Sequence, residues 1–347
     1  MAGRRNPLKA DVVIVGAGPG GIATAICCAR AGLEVVILDR ERSRRERPGE
    51  TLHPGIETLL GELGVLERVL KAGFLRHDGI WVHWHGPRRF VPYGADATGS
   101  WRGFQAWGAE LDEILLQHAR ELGAGVLRPC RALDPIVSRG QVSGVESTTG
   151  TIKAGFVVDA AGGRHWLARR HALNIERHSP RLIARYGYVD GACPGRDQAP
   201  SLVADPDGWS WTARVRPRRY AWTRLSLRES KGKRHLLPPE ELRGNGLRPW
   251  GKVRGADVSW RVVVPAAGLG YFLVGDAAAV LDPASSHGVL KAIMSGMRAA
   301  HLVTQVVHHE ASESLAAQMY SDWVRRWFDH DVVGLKALYA RLPGSPP

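Results

Sequence analysis

The first forty residues alternate between apolar runs and a glycine-rich turn. Residues 12–15 are four consecutive β-branched residues without a polar break, which is typical of a parallel strand buried on both faces. A helical segment follows from about residue 20 to residue 30, and the apolar run 33–38 predicts a second strand. This order predicts a strand–helix–strand unit at the start of an α/β domain.

The later pattern divides the chain into two lobes. Helical periodicity appears in residues 54–72 and 109–122, and residues 156–163 predict another buried strand. Residues 182–264 instead alternate in short strands, which is typical of an antiparallel sheet. We therefore predict an α/β (α+β) two-lobed fold in which a Rossmann-like domain carries an inserted antiparallel-sheet domain. The predicted parts are a discontinuous nucleotide-binding domain of residues 1–80, 103–180 and 262–312, a substrate domain of residues 81–102 and 181–261, and a helical C-terminal segment of residues 313–347.

The turn between the first strand and helix has the spacing of a dinucleotide-binding loop. Gly16, Gly18 and Gly21 give G-x-G-x-x-G, which permits a tight turn, a close approach to a pyrophosphate and close helix packing. The second strand ends in Asp39, where an acidic side chain would bind the ribose hydroxyls. Strand, glycines, helix, strand and acid in this order predict a bound dinucleotide.

Composition narrows the class of protein. In 347 residues with 44% hydrophobic content, no apolar run reaches the roughly 18 residues of a membrane span. The first residues run directly into a strand without an apolar leader, so we expect a cytoplasmic protein. The four cysteines include no C-x-x-C pair, which predicts a reducing compartment and no metal site.

The net charge of +13 is distributed unevenly along the chain. Residues 212–235 contain nine lysines or arginines and one acid, Glu229. This segment is either a solvated basic surface or a docking face for an acidic partner polypeptide or substrate. The sequence contains no recognisable nucleic-acid-binding module.

Three spaced motifs carry a family resemblance. They are GAGPGG with Asp39, the segment 158–164 (VDAAGGR), and the segment 275–278 (GDAA) followed by Leu-Asp-Pro at 281–283. Together they resemble the FAD-binding pattern of flavoprotein monooxygenases with the p-hydroxybenzoate-hydroxylase fold. The resemblance implies that FAD is the dinucleotide, and that Asp276 lies at its ribitol or pyrophosphate.

Two further segments are similar to the tryptophan-halogenase branch of this fold. Residues 47–54 (RPGETLHP) resemble its G-E-x-L-x-P segment, and residues 282–289 (DPASSHGV) resemble its D-P-x-x-S-x-G loop. Backbone N–H groups of residues 286–289, at the start of a helix, would stabilise negative charge on the flavin. An ordinary helix N-cap by Ser285 or Ser286 is the structural interpretation of this loop, and the two interpretations are compatible.

The resemblance implies a set of cofactor contacts. Relatives carry an arginine near the FAD diphosphate where this chain has Gly108. Either Gln105 or Arg102 substitutes for this arginine, or FAD binds more loosely. The expected cofactor-binding residues are Gly16, Gly18, Pro19, Gly21, Asp39, Arg40, Thr51, Gln105, Asp159, Gly162, Gly275, Asp276, Pro283, Ser286, Gly288 and Val289.

Two departures favour hydroxylation over halogenation. The halogenase lysine would fall at residues 78–80, which are Asp-Gly-Ile here, and the G-W-x-W-x-I-P signature appears only in part at residues 208–213. The segment 275–289 (GDAAAVLDPASSHGV) is most similar to flavoproteins that hydroxylate a tryptophan of a partner polypeptide. In those systems the hydroxylation precedes formation of a tryptophylquinone cofactor.

Histidines and tryptophans supply the candidate chemistry. His287, in the flavin loop, and His53 are predicted catalytic groups, and Glu50 is a third candidate near the flavin. Trp209 and Trp211 are two apart on a predicted strand, so they share a face that would suit an indole if it covers the flavin. His83 is a candidate substrate-binding residue on another strand. For each of these residues a structural role in the core or in hydrogen bonding is the alternative.

The resulting prediction is an FAD-dependent monooxygenase that hydroxylates an indole-like or tryptophan-like ring. The resemblance implies oxygen transfer from a flavin C4a-hydroperoxide, with electrons from NAD(P)H or a separate reductase. Three alternatives stay open: a reductase of the geranylgeranyl-reductase type, a flavin halogenase, and a non-catalytic flavoprotein that binds an immature partner.

Overall fold

The computed structural model describes residues 8–42, 51–97, 99–196, 198–227, 237–243 and 246–342. Its helices are α1 Pro19–Arg30, α2 Ile56–Glu62, α3 Leu66–Lys71, α4 Gly108–Glu121, α5 Trp166–Arg170, α6 Gly288–Val307 and α7 Glu313–Tyr339. Its strands are β1 Leu8–Val15, β2 Val35–Leu38, β3 Thr51–Leu52, β4 Leu75–His77, β5 Gly79–His83, β6 Arg89–Pro92, β7 Ala95–Asp96, β8 Gly99–Ser100, β9 Gly103–Gln105, β10 Gly125–Leu127, β11 Ala132–Ser138, β12 Gln141–Ser147, β13 Gly150–Asp159, β14 Asn174–Arg177, β15 Ile183–Asp190, β16 Ser201–Asp205, β17 Gly208–Arg216, β18 Arg219–Ser226, β19 Arg248–Asp257, β20 Arg261–Val264, β21 Ala267–Gly268, β22 Tyr271–Leu273 and β23 Ala279–Val280.

A mostly parallel sheet forms the centre of the first lobe. β1 lies between β2 and β13 and is parallel to both, with Val12 opposite Val35 on one side and Phe156 on the other. β10 and β22 extend the parallel part, whereas β12 and β11 continue from β13 in antiparallel order. Residues 12–14 are completely buried. The predicted buried parallel strand and the α/β fold class are therefore confirmed.

The first helix and the sixth helix cross at very close range. A Cβ atom added to Gly20 would lie 2.8 Å from the carbonyl oxygen of Ala292, and one added to Gly296 would lie 2.2 Å from that of Gly20. The hydroxyl of Thr24 donates to the carbonyl oxygens of Gly20 and Gly296 at 2.9 and 3.2 Å. Because these contacts lie near the start of both helices, they bring the two N-termini together beside the glycine turn.

The second lobe is a seven-stranded sheet in the order β19-β15-β18-β17-β16-β5-β6. Its neighbours pair antiparallel except β16 and β5, which are parallel. The strands therefore come from two separate stretches of the chain. The proposed domain boundaries themselves stay a prediction.

The last helix contacts both lobes. α7 begins at the N-cap Ser312, whose hydroxyl accepts the N–H of Leu315 at 3.3 Å. The hydroxyl of Tyr320 donates to the carbonyl oxygen of Leu273 in the first lobe at 2.6 Å. At the other end of α7, Tyr339 accepts a hydrogen bond from Trp209 of the second sheet at 2.7 Å. None of the described helices combines the length and apolarity needed to cross a membrane.

Candidate active site

A cavity of about 340 Å³ lies between the two lobes. Its walls include the glycine turn at Gly18–Gly21, the 282–289 loop, and the inner face of the second sheet around Trp211. This volume is within the range of small-molecule sites.

The glycine turn has the geometry that its spacing predicts. Gly16 has φ +108°, and a Cβ atom there would lie 2.4 Å from the carbonyl oxygen of Ala160. A Cβ atom on Gly21 would lie 2.2 Å from the carbonyl oxygen of Gly16. Gly18 is the N-cap of α1, whose first turn contains Pro19 and has no side-chain cap. The free N–H groups of this helix start are suited to an anionic diphosphate.

The predicted ribose-binding acid lies at the end of β2. Asp39 is buried, and its carboxylate lies 3.5 Å from the guanidinium of Arg128. Arg40 is exposed and pairs with Glu41 at 3.1 Å. Contacts of Asp39 and Arg40 with the cofactor stay predictions, because neither side chain borders the cavity.

Asp159 corrects one of the predicted cofactor contacts. Its carboxylate is fully buried and accepts the backbone N–H groups of Ala161 and Leu167 at 2.9 and 2.8 Å. Burial raises the pKa of Asp159 to about 6, against these hydrogen bonds. Asp159 therefore shapes the turn that presents Gly162, and Gly162 is the residue that lines the cavity.

The cavity has open space where two glycines lack side chains. Gly162 has φ +80°, and a Cβ atom on Gly162 or on Gly288 would meet no protein atom within 4 Å. Both glycines line the cavity, together with Gly275 and Asp276. The chain thus leaves a cradle that a bound group would fill, as expected for the flavin end of FAD.

The 282–289 loop is built on a buried carboxylate. Asp282 is completely buried, and its Oδ1 accepts the N–H of Ala284 at 2.7 Å, which begins a short 3-10 turn at Pro283. Ser286 then takes φ +54°, and α6 starts at Gly288. The N-cap of α6 is His287 and not a serine, and no described side chain caps this helix start. The N–H of Ser286 donates to the carbonyl oxygen of Pro283 at 2.9 Å, so the predicted backbone donors that stay available are those of residues 287–289, and the serine-cap interpretation is wrong.

Hydrogen bonds connect the predicted substrate wall to the predicted cofactor residues. The indole Nε1 of Trp211 donates to the hydroxyl of Thr51 at 3.0 Å, and this hydroxyl donates to Oε1 of Gln105 at 2.9 Å. Trp211 and Thr51 line the cavity, whereas Gln105 lies behind Thr51. Nε2 of Gln105 is buried without a hydrogen-bond partner among the described residues.

Two predicted substrate residues lie elsewhere. Trp209 is fully buried beside Tyr339, and it does not line the cavity. His83 is exposed at the end of β5 and is also outside the cavity wall. Trp209 is not placed to bind a substrate in the cavity, because it packs against α7. His83 is not placed to do so, because it is exposed at the end of β5. Glu50 lies outside the described residues.

The two predicted catalytic histidines are neighbours. The ring centroids of His53 and His287 are 5.4 Å apart, and His53 lines the cavity, whereas His287 does not. Nδ1 of His53 accepts the N–H of Gly55 at 3.2 Å. Burial lowers the pKa of both rings, and for His287, with Lys291 and His53 nearby, to about 4. Both imidazoles are therefore neutral near pH 7.

Several residues of the cavity wall are not predicted from the sequence, among them a lysine and a tryptophan. Lys291 on α6 and Trp327 on α7 both line the cavity. In a helix, a lysine is usually a surface residue and a tryptophan is usually a core residue, so neither position stands out in the sequence. The family motifs end at Val289, so the sequence contains no signal that would have selected these two positions.

Comparison with known proteins assigns the family. Residues 9–211 match the family described as FAD binding domain. The chain belongs to this family. The predicted FAD-binding domain is thus confirmed, and so is the class of enzyme, flavin-dependent oxidoreductase.

Individual relatives agree with this assignment. A tryptophan 2-halogenase of Chondromyces crocatus is 27% identical over 343 residues, and the match covers 90% of this chain and 65% of that protein. This chain therefore spans less than two thirds of that relative. The structure of the myxobacterial chondrochloren halogenase is similar with a TM-score of 0.85 and 24% identity, over 96% of this chain and 83% of the other. A probable FAD-dependent monooxygenase of Pseudomonas aeruginosa shares the fold over 97% of both chains, with a TM-score of 0.80 and 18% identity.

Proposed function

We propose that the protein is an FAD-dependent monooxygenase that hydroxylates an electron-rich aromatic ring of an indole-like or tryptophan-like substrate. The main support for this proposal is that one cavity brings three features together. These are the uncapped start of α6 at Gly288, the ring of His53, which neighbours His287, and the indole of Trp211. Together they provide donors for negative charge, a proton acceptor and an aromatic wall.

Each part of the cavity has a separate task in this proposal. Gly18, Gly162 and Asp276 would hold the FAD, and reduced FAD supplies the activation of oxygen when bound. Trp211, fixed by Thr51, orients the aromatic ring of the substrate. His53 or His287 accepts the proton that the substituted ring carbon releases. The walls that the two lobes contribute would limit the access of water to the reacting atoms.

Hydroxylation is favoured over the halogenase mechanism by the structure around β5. A Cβ atom on Gly79 would lie 2.4 Å from the carbonyl oxygen of Val91, and Asp78 is exposed. Residues 78–80, where the halogenase lysine would fall, do not line the cavity. Halogenation is the second candidate function, because the tryptophan 2-halogenase is a relative and Lys291, on another helix, lines the cavity.

The finer form of the proposal is that the tryptophan belongs to a partner polypeptide and that the step precedes tryptophylquinone formation. The basic segment 212–235 would be the docking face. In the described part of this segment, Arg216, Arg219 and Arg224 pair with acids of this chain at 3.1, 2.7 and 2.7 Å. These pairs reduce the charge available to an acidic partner, so the proposal rests mainly on the loop sequence and needs a direct comparison of substrates.

The experiment is an aerobic turnover assay with the FAD-loaded protein. Free tryptophan and a tryptophan-containing peptide are supplied in turn, with NADH or NADPH, with or without a flavin reductase, and with or without chloride or bromide. A product that gains one oxygen atom without any need for halide supports hydroxylation. A halide-dependent product that gains a halogen atom establishes the second candidate instead. Oxygen uptake that yields peroxide and no modified substrate under every condition would contradict both.

A variant of His287 tests the assigned proton acceptor. His287→Ala is expected to retain FAD and to slow substrate modification at least about tenfold. His83→Ala is the matched control, because this histidine is exposed and, unlike His287, does not pack against the cavity residue His53. Equal effects of the two substitutions would remove His287 from the mechanism.

A further inference from the structure

Lys291 lies one helical turn beyond the loop that forms the flavin end of the cavity. Its backbone N–H donates to the carbonyl oxygen of His287 at 2.9 Å, so the two side chains are four positions apart on the same side of α6. Of the described residues that line the cavity, Lys291 is the sole lysine or arginine, whereas Asp112, Asp257 and Asp276 are acids of this wall. The Nζ atom of Lys291 is itself buried, so the positive charge lies behind the cavity surface and not in the open space.

The last helix holds this lysine in place from the other side. The ammonium of Lys291 forms an ion pair with the Oδ2 carboxylate oxygen of Asp331 and lies 4.5 Å from the ring centroid of Trp327. Asp331 and Trp327 are four residues apart on α7, so they form one surface of that helix. The side chains of Lys291 and Asp331 are 19% and 18% exposed, which restricts the lysine to this position.

A cation at this position affects the two oxidation states of a bound flavin differently. A hydride from NAD(P)H, or two electrons and one proton from a reductase, converts the neutral oxidised ring to a reduced ring with one negative charge. A fixed positive charge in a partly buried cavity stabilises the charged state more than the neutral state. The uncapped start of α6 acts in the same direction.

We propose that Lys291, held by Asp331 and Trp327, stabilises the reduced, anionic form of the bound FAD and so raises its midpoint potential. This role concerns cofactor reduction and is the same whether the oxidised product is hydroxylated or halogenated. Asp331 opposes the effect, because its carboxylate partly neutralises the ammonium.

The test is the midpoint potential of the FAD-loaded protein, measured anaerobically against a reference dye at about pH 6.5. At this pH the lysine is protonated, since burial lowers the pKa of Lys291 to about 8. Lys291→Met is expected to lower the potential, with a loss of about tenfold in the preference for reduced over oxidised FAD. Asp331→Asn is expected to raise it, and Lys291→Arg to keep it close to the wild-type value.

The opposite signs distinguish this role from general disruption of the site. Lys336→Met is the matched control, because Lys336 is exposed on α7 and outside the cavity, and its potential should equal that of the wild type. If Lys291→Met does not retain FAD, the comparison of Asp331→Asn, Lys291→Arg and wild type carries the test. An unchanged potential in Lys291→Met, or a lowered potential in Asp331→Asn, overturns the proposal.

Discussion

The hydroxyl of Tyr339 donates a hydrogen bond to the buried carboxylate of Asp282. This contact joins the last turn of α7 to the first residue of the loop that lines the cofactor cavity. The indole of Trp209 donates to the same hydroxyl at 2.7 Å, and the rings of Trp84 and Trp260 pack around Tyr339. The C-terminal helix therefore supports the flavin end of the cavity from behind.

Removing the hydroxyl of Tyr339 is expected to weaken both the fold and cofactor binding. Tyr339→Phe leaves a buried carboxylate without one of its donors, at a cost of about 1 to 3 kcal/mol. The free energy of unfolding from urea titration and the dissociation constant of FAD measure the two effects. Tyr320→Phe is the matched control, since its buried hydroxyl donates to a backbone carbonyl away from the loop. If both variants lost the same FAD affinity, the hydrogen bond from Tyr339 to the loop would have no specific role in cofactor binding.

The carboxylate of Asp282 is expected to give a specific dependence of stability on pH. Burial raises the pKa of Asp282 from 3.8 to about 6, so the folded protein binds a proton that the unfolded chain releases at lower pH. Its contribution to stability is present below about pH 4 and falls by about 2 to 3 kcal/mol as the pH rises to 6. Asp159 contributes in the same direction, whereas the lowered pKa values of His165 and His287 contribute in the opposite direction.

Comparison of Asp282→Asn with the wild type isolates this single contribution. The variant lacks the titrating group, so its unfolding free energy relative to the wild type should increase between about pH 4 and pH 6. Urea titrations across that range provide the measurement. Parallel pH profiles for the two proteins would show that the pKa of Asp282 is not raised.

Much of the fold follows from short-range sequence patterns. Which residues line the cavity depends instead on contacts between residues that are distant in the sequence. The run of residues 12–15 and the glycine spacing specify β1 and its turn locally. Trp209 and Trp211 share one face of β17, and the sequence does not show that Tyr339, 130 residues later, covers the first but not the second. Lys291 is likewise placed by Asp331, which belongs to another helix.

A side chain at Gly16 is expected to abolish cofactor binding. In Gly16→Ala the Cβ atom would lie 2.4 Å from the carbonyl oxygen of Ala160 at φ +108°, so the turn must move away from the diphosphate position. We expect a loss of about 2 to 4 kcal/mol of stability. The FAD content after purification and the unfolding free energy are the measurements.

Gly32→Ala is the control for Gly16→Ala that separates steric crowding from the strain of a positive φ. Gly32 has φ +80°, but a Cβ atom there meets no atom within 4 Å. This variant should lose about 1 kcal/mol and retain its FAD. Full FAD content in Gly16→Ala would contradict the assigned role of the glycine turn.

The two tryptophans of β17 are expected to respond differently to the same substitution. Trp211→Phe removes a cavity wall and the hydrogen bond to Thr51, so binding of indole or tryptophan should weaken by about tenfold while stability changes little. Trp209→Phe leaves the hydroxyl of Tyr339 without its donor inside the core, so it should lose about 1 to 3 kcal/mol and bind indole normally. Perturbation of the FAD absorbance by added indole measures binding, and urea titration measures stability. If Trp209→Phe weakened indole binding as much as Trp211→Phe, the aromatic wall would extend beyond the cavity that the structure shows.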